Sequence, residues 1–278
     1  MYRCYRALVT RERTLATRRF LSDSLELGLG LGLGFPKPSL PGIEPSPGAD
    51  ALAALLLRHH NPFHPLESPL ELVALGGGAA LSPALVVQTL LRLRHASKVA
   101  LAFFVSVRDH VHHHRCNGGA QPLLGPAAYD AMVDILGRVR QFDVAWQLIV
   151  EMGCGGGGGG DVGPTPRTFA VLVRRYVAAG MTRQAIRSFD DMEAFVGREP
   201  SSAEFQMLLD TLCKYGHAKV ATEIFNKRKS KYEPDEKTYS ILIYGWHASL
   251  HPENRFDRTI RAAEDLLKEM GLGGLNPM

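Results

Sequence analysis

The sequence is poor in cysteine, and its four cysteines (Cys4, Cys116, Cys154, Cys213) stand far apart with no C-x-x-C pair. That excludes a disulfide scaffold and a zinc ribbon. It also lacks an apolar run of membrane-spanning length; Arg92, Arg94 and Lys98 interrupt the best candidate, which argues against a transmembrane helix. No run alternates apolar and polar residues as a strand would. No excess of one charge marks the body of the chain. The formal net charge is +4, but residues 1–22 alone carry six arginines against one acid, leaving the remaining residues at −1. A polyanionic partner would therefore have to be held by a local patch. Hydrophobic residues make up 45% and charged residues 22% of the 278, a globular composition that excludes wholesale disorder.

Two segments at the start have compositions of their own. Residues 1–22 are rich in Arg, poor in acids and interspersed with Leu, Val, Tyr and Phe. That is the composition of an organellar transit peptide, and Arg19-Phe20-Leu21-Ser22 has the form of a mitochondrial processing site. We expect mitochondrial import, with the chloroplast as the alternative. Residues 23–80 begin with alternating Leu and Gly and continue through Pro36, Pro38, Pro41, Pro45 and Pro47. Glycine at every second position packs nothing and costs backbone entropy, so the segment reads as a disordered low-complexity linker.

From Ser82 onward apolar residues recur at helical spacing, and an internal repeat emerges. An aromatic opens each unit: Tyr129, Phe169, Phe205 and Tyr239, at intervals of 40, 36 and 34. Ala145, Ala185 and Ala221 follow 16 residues after the first three, and Ala263 follows after a longer gap. Met152, Met192 and Met270 come seven past three of those alanines, and Pro164, Pro200, Pro234 and Pro277 close the units. Gly180 and Gly216 stand 11 residues past their aromatics. This spacing predicts helical hairpins. The aromatic, Val133/Val173/Leu209/Ile243 and Leu136/Tyr176/Leu212/Trp246 line one face of a first helix. The glycines permit a left-handed turn. The alanine, Ile149/Phe189/Phe225/Leu267 and the methionine line the second helix. Each hairpin exposes an apolar face that only its neighbour can cover, so the units must stack. The expected fold is all-α, a right-handed α-solenoid of helix-turn-helix repeats behind a disordered N-terminal segment.

The pattern, best seen in AAYDAMVDILGRVRQFDVAWQLIVEM (127–152), EFQMLLDTLCKYGHAKVATEIF (204–225) and EPDEKTYSILIYGW (233–246), resembles the pentatricopeptide repeat, a plant-rich organellar RNA-binding family, in its P-class form. Tetratricopeptide repeats have a mid-helix Trp-x-x-Leu-Gly signature that is missing here. The resemblance divides the chain into a degenerate leading hairpin and loop (81–125) and repeats at 126–165, 166–201, 202–235 and 236–278. Repeat one carries a Gly-rich insertion at 153–163, and repeat four an insertion near 247–258. A chain that stops at Pro277-Met278, where a fifth unit would begin without a capping helix, is expected to be a fragment or a truncation.

The resemblance implies single-stranded organellar RNA as partner, one base per repeat, read by the residue after the aromatic and the residue after the proline. Those pairs are Asp130 with Thr165, Ala170 with Ser201, Gln206 with Asp235, and Ser240 with Met278. Ala127, Arg167, Ala203 and Lys237, two before the aromatic, would sandwich bases, and Arg138 and Lys214 would reach phosphates. None of the pairs matches the family's usual reading set of Asn, Thr or Ser with Asp or Asn, so no target sequence can be read. The Gly-rich insertion lacks the Lys-Ser/Thr of a nucleotide loop, His110, His112, His113 and His114 have no accompanying ligands, and His251-Pro252-Glu253 lacks the cysteine half of a deaminase site. No enzyme, cofactor, metal, membrane or small-molecule substrate is expected. The alternative is a protein-interaction scaffold, and organellar RNA-processing or ribosomal proteins are further possible partners on either reading.

Overall fold

The structure, a computed structural model, describes residues 42–59, 81–114, 123–154, 163–248 and 256–272. All belong to one compact unit, Pro36–Met278; the other, Met1–Phe35, lies outside the described residues, as does the expected transit segment. The described residues form eleven helices and no strand: α1 Pro47–His59, α2 Pro83–Arg92, α3 Ser97–His114, α4 Pro126–Arg138, α5 Phe142–Cys154, α6 Pro166–Ala178, α7 Thr182–Val196, α8 Ser202–Lys214, α9 Ala218–Arg228, α10 Glu236–Ala248 and α11 Phe256–Leu272. Helices α2, α4, α6, α8 and α10 pack side by side as a row of first helices, each followed by its hairpin partner. This is an all-α solenoid of helical hairpins.

The hairpin turns repeat atom for atom. At the ends of α4, α6 and α8 the residue in the left-handed region is Arg140 (φ 62°), Gly180 (φ 77°) and Gly216 (φ 79°). In each turn the next residue's N–H reaches back to a first-helix carbonyl: Gln141 to Leu136, Met181 to Tyr176 and His217 to Leu212, at 2.8–2.9 Å. Those bonds satisfy carbonyls that the helix end leaves open. The sequence flagged only the two glycines; Arg140 occupies the same place without the freedom of a glycine.

The stacking has a recurring aromatic joint. Each opening aromatic meets a ring on the second helix of the preceding hairpin: Tyr129 with Phe104, Phe169 with Trp146, Phe205 with Phe189, and Tyr239 with Phe225, at centroid distances of 5.1–6.2 Å. Such tilted and edge-on pairs are favoured over face-to-face stacking. Ala145, Ala185 and Ala221 are fully buried, as are Ile149 and Phe225, with Phe189 and Met192 nearly so. In α11 the stripe is displaced. Leu266 and Met270 are buried, whereas Leu267 is 42% exposed and Ala263 only half-buried. Met270 keeps its expected burial and Leu267 does not, which corrects the expectation for Leu267.

Two further expectations are corrected. Residues 47–59, inside the expected disordered linker, form α1. Pro47 suits a first helical turn, and Ala49, Leu52, Ala53 and Leu56 recur at helical spacing and are buried. The Pro- and Gly-rich flanks masked that stripe. Helix α1 packs on α2, and Arg92 fastens it by pairing with Asp50 and donating to the carbonyl of Glu44 at 2.8 Å. Gln88 adds Nε2–H to the carbonyl of Gly42 and an acceptor for Glu44 N–H, both at 3.0 Å. Helix α3 also continues through His114, so residues 110–114 are helical and the loop expected within 81–125 begins beyond them. Helix α5 runs to Cys154 and α10 to Ala248, so the cores of the two expected insertions, 155–162 and 249–255, lie outside the described residues.

Candidate nucleic-acid interface

The residue after each opening aromatic does not project freely. Asp130, Ala170 and Gln206 are only 2%, 4% and 6% exposed, because they face the seam between successive first helices. Ser240 is half-buried, and its hydroxyl donates to the carbonyl of Glu236 at 2.9 Å. The residues after the prolines have a local task that the sequence reading overlooked. Thr165, Ser201 and Asp235 cap the N-termini of α6, α8 and α10, their side-chain oxygens accepting from the N–H groups of Thr168, Glu204 and Thr238 at 3.3, 3.4 and 2.8 Å. Thr165 with Thr168, and Ser201 with Glu204, complete reciprocal capping boxes.

These caps join the paired positions. Thr168 Oγ1–H donates to Asp130 Oδ1 at 2.7 Å while lying 3.1 Å from Thr165 Oγ1, so Asp130 and Thr165 are linked through Thr168. Gln206 Nε2 donates directly to Asp235 Oδ1 at 2.7 Å and to Thr238 Oγ1 at 3.0 Å. Ala170 has no polar atom to offer Ser201, whose hydroxyl instead lies 3.0 Å from Glu204. The structure therefore brings two pairs together, separates the third, and leaves the fourth incomplete, since Met278 lies outside the described residues. Thr168 and Thr238 are the connecting residues that the sequence reading missed. Their signal was the capping spacing in PTPRT and PDEKT.

The carboxyls respond to these surroundings. Burial raises Asp130 above the ordinary aspartate range, and the Thr168 hydrogen bond and Arg167 do not fully offset it. Asp235 lies below that range: burial acts to raise it, but the Thr238 hydroxyl and N–H and the Gln206 amide together prevail.

The cations are interleaved with acids. Arg138 Nε lies 2.9 Å from Asp134 Oδ2 and Lys214 Nζ 2.6 Å from Asp210 Oδ2, each pair one helical turn apart. Arg167 Nε lies 3.5 Å from Asp130 Oδ2. Asp210 is held above the ordinary range by burial, against the pull of Lys214 and Lys237. Lys237 and the small side chains of Ala127 and Ala203 are exposed. Cations thus recur on the first helices, and an aspartate lies beside each of Arg138, Arg167 and Lys214. Tyr244, on α10 at the place that Asp134, Arg174 and Asp210 hold on their helices, is 44% exposed.

Among the described residues no group of His, Cys, Asp and Glu is arranged to hold a metal ion, and no helix is long and apolar enough to cross a membrane. Cys213 is buried, and that burial pushes its thiol up to about 12.

The hairpins, the aromatic joints and the capped seams define a helical-repeat protein. No family model matches the chain. A mitochondrial pentatricopeptide repeat-containing protein of Arabidopsis thaliana is 45% identical over 240 residues, covering 86% of this chain and 41% of the relative. A putative pentatricopeptide repeat-containing protein of the same plant is 33% identical over 187 residues (66% and 27%). A second mitochondrial one is 33% identical over 161 residues (55% and 25%). The chain belongs to the pentatricopeptide repeat family. It spans about two fifths of the length of the first of these relatives and about a quarter of the other two. Among solved structures, the crystal structure of maize PPR10 matches with a TM-score of 0.38 at 16% identity, over 84% of this chain and 40% of that one. PPR10 in complex with an 18-nt psaJ RNA element gives 0.39 at 21%, over 84% and 35%.

Proposed function

We propose that the protein binds single-stranded RNA in an organelle and acts non-catalytically, as a sleeve that affects processing, stability or translation of a transcript. The observation that carries this reading is the Gln206–Asp235–Thr238 network. A side-chain amide beside a carboxylate at the seam of two first helices presents donors and acceptors of the kind that read base edges. Reading a base there requires exchanging the bonds from Gln206 for bonds to RNA. Membership of the family supports the same partner, and the mitochondrial names of relatives support the mitochondrion as the compartment, with the chloroplast as the alternative. Other organellar RNA-processing or ribosomal proteins are proposed as additional partners. The test is filter binding with single-stranded RNA, duplex RNA and single-stranded DNA of equal length. The reading expects preference for single-stranded RNA; equal retention of all three contradicts it.

Two observations favour a second reading, a protein-interaction scaffold. Arg138, Arg167 and Lys214 are each paired with an aspartate, and the side chain of Ala170 offers a base no hydrogen bond. On that reading the same surface holds a peptide or a ribosomal protein, and the filter assay shows no RNA above a neutral carrier protein.

A further inference from the structure

At the seam between α4 and α6 three arginines converge on one carboxylate. Asp134 sits on α4 with its side chain 2% exposed. Arg138, one turn further along α4, places Nε 2.9 Å from Oδ2. From α6, Arg174 Nη2 lies 2.8 Å and Arg175 Nε 2.7 Å from Oδ1. The approach depends on Gly137, where an added Cβ would stand 2.6 Å from Cβ and Cγ of Arg175. The glycine lets the arginine stem lie against the neighbouring helix. Arg138 and Arg174 keep 30% and 16% of their side chains exposed and form a rim, while Asp134 and Arg175 form the floor.

One aspartate cannot balance three guanidiniums. Two further observations show that the cluster is under-satisfied. Arg174 Nε and Arg175 Nη2 are buried with no hydrogen-bond partner; Nη2 lies within 2.6 Å of Asp134 Oδ1 but is not aligned to donate to it. A structural ion pair normally matches charge for charge and leaves no buried donor open, because both omissions are costly. At the α8–α10 seam, by contrast, Asp210 pairs with Lys214, and α10 presents Tyr244 and Gly245 where α6 has Arg174 and Arg175.

We propose that Asp134, Arg138, Arg174 and Arg175 form an anion site that takes a phosphate group of an RNA backbone, with Asp134 orienting the guanidiniums rather than neutralising them. Guanidinium forks suit phosphate because they donate two parallel bonds. The site extends the contacts expected from Arg138 by two residues of the next repeat, and its assignment to RNA rests on the reading given above. Free phosphate is the other source of the same chemistry.

The test uses the full chain, with inorganic pyrophosphate and a single-stranded RNA as separate probes. Pyrophosphate is expected to raise the melting midpoint of the wild type and not that of Arg174→Gln. Arg174→Gln is also expected to weaken RNA binding about tenfold at low salt, as removal of one charged hydrogen bond should. Its plot of log affinity against log salt should be shallower by about 0.7. Should Arg174→Gln fail to fold, Arg138→Gln on the rim serves in its place. Asp134→Asn, provided circular dichroism shows it folded, is expected to bind RNA more tightly than the wild type, since a purely structural network would instead lose affinity with its order. Unchanged pyrophosphate stabilisation and unchanged RNA slope in Arg174→Gln overturn the proposal while leaving RNA binding itself intact. Pyrophosphate binding that depends on Arg174, in a wild type that binds no RNA, keeps the anion site and removes the RNA reading.

Discussion

Replacing Gly180 by alanine tests the repeat architecture at its simplest joint. The residue sits at φ 77°, and an added Cβ would meet nothing within 4 Å. No steric clash with a neighbour confuses the result; the cost is purely that of forcing an L-residue into the left-handed region, about 1–2 kcal/mol. Alanine also narrows the unfolded ensemble, which returns about 0.4–1 kcal/mol. The net destabilisation is about 1 kcal/mol, which for a domain of this size lowers the melting midpoint by about 2–4 °C. Gly216→Ala, at φ 79° with the same open surroundings, should behave alike. Arg140→Gly is the counter-experiment. It relieves the strain of the left-handed arginine but gives up the bond from Arg140 Nη2 to the carbonyl of Ala179 at 3.1 Å and widens the unfolded ensemble, so its midpoint should stay close to wild type. Thermal unfolding followed by circular dichroism reads all three. Midpoints unchanged by both glycine substitutions would refute the reasoning, since the turns would then not hold this geometry in solution.

Ala185→Leu should overpack a fully buried position where the second helix of its hairpin meets its neighbours, and destabilise by about 1–3 kcal/mol in urea unfolding. Asp130 and Asp210 are both raised, so the folded protein binds their protons more tightly than the unfolded chain does; as pH falls toward those raised values the fold gains stability and the first-helix face loses negative charge. RNA affinity should therefore strengthen as pH falls toward those raised values, and Asp130→Asn should weaken that dependence in a pH series of filter-binding titrations. Asp134 behaves oppositely: burial acts to raise it, but Arg175, Arg138 and Arg174 hold it below the ordinary range, so its contribution to stability is lost only as pH falls below that range. Residues 1–40 fused to a fluorescent protein should enter mitochondria, and a diffuse cytosolic signal would contradict the targeting reading.

The hairpins were legible in the sequence because each depends on local spacing. The aromatic, the alanine and the helix-ending proline carry their phase within one unit, and Gly180 and Gly216 announce a turn that few other residues accept. What was hidden depends on partners far along the chain or on a weaker local rule. Arg140 takes the glycine conformation against its propensity, with a bond to Ala179 in the next hairpin, and nothing near it in the sequence reveals that. Helix α1 has a clear apolar stripe, but its Pro-rich neighbours outweighed it. Of the candidate site, the sequence selected Gln206, Asp235, Asp130 and Thr165 through the resemblance. It did not reveal that the first of each pair is buried, nor that Thr168 and Thr238 tie the pairs together, because burial at a seam follows from stacking two units. Asp134 and Asp210 stand in plain view one turn before Arg138 and Lys214, at the spacing of a helical ion pair, but a cation chosen by its place after the aromatic carries no information about its partner.

The central claim is that RNA lies along the first helices. The most direct measurement compares the salt dependence of single-stranded RNA binding in two sets of changes. One replaces Arg138, Arg167, Lys214 and Lys237 on the first helices by alanine. The other replaces Lys227, Lys229 and Lys231, at and just beyond the end of α9, where Lys229 and Lys231 pair with Glu269 and Glu199. The account predicts that the first set weakens binding across sequences and flattens the salt slope by up to about 0.7 for each phosphate that is no longer neutralised, while the second set stays near wild type. Equal weakening by both sets would mean that diffuse charge holds the RNA, and the first-helix surface would lose its role.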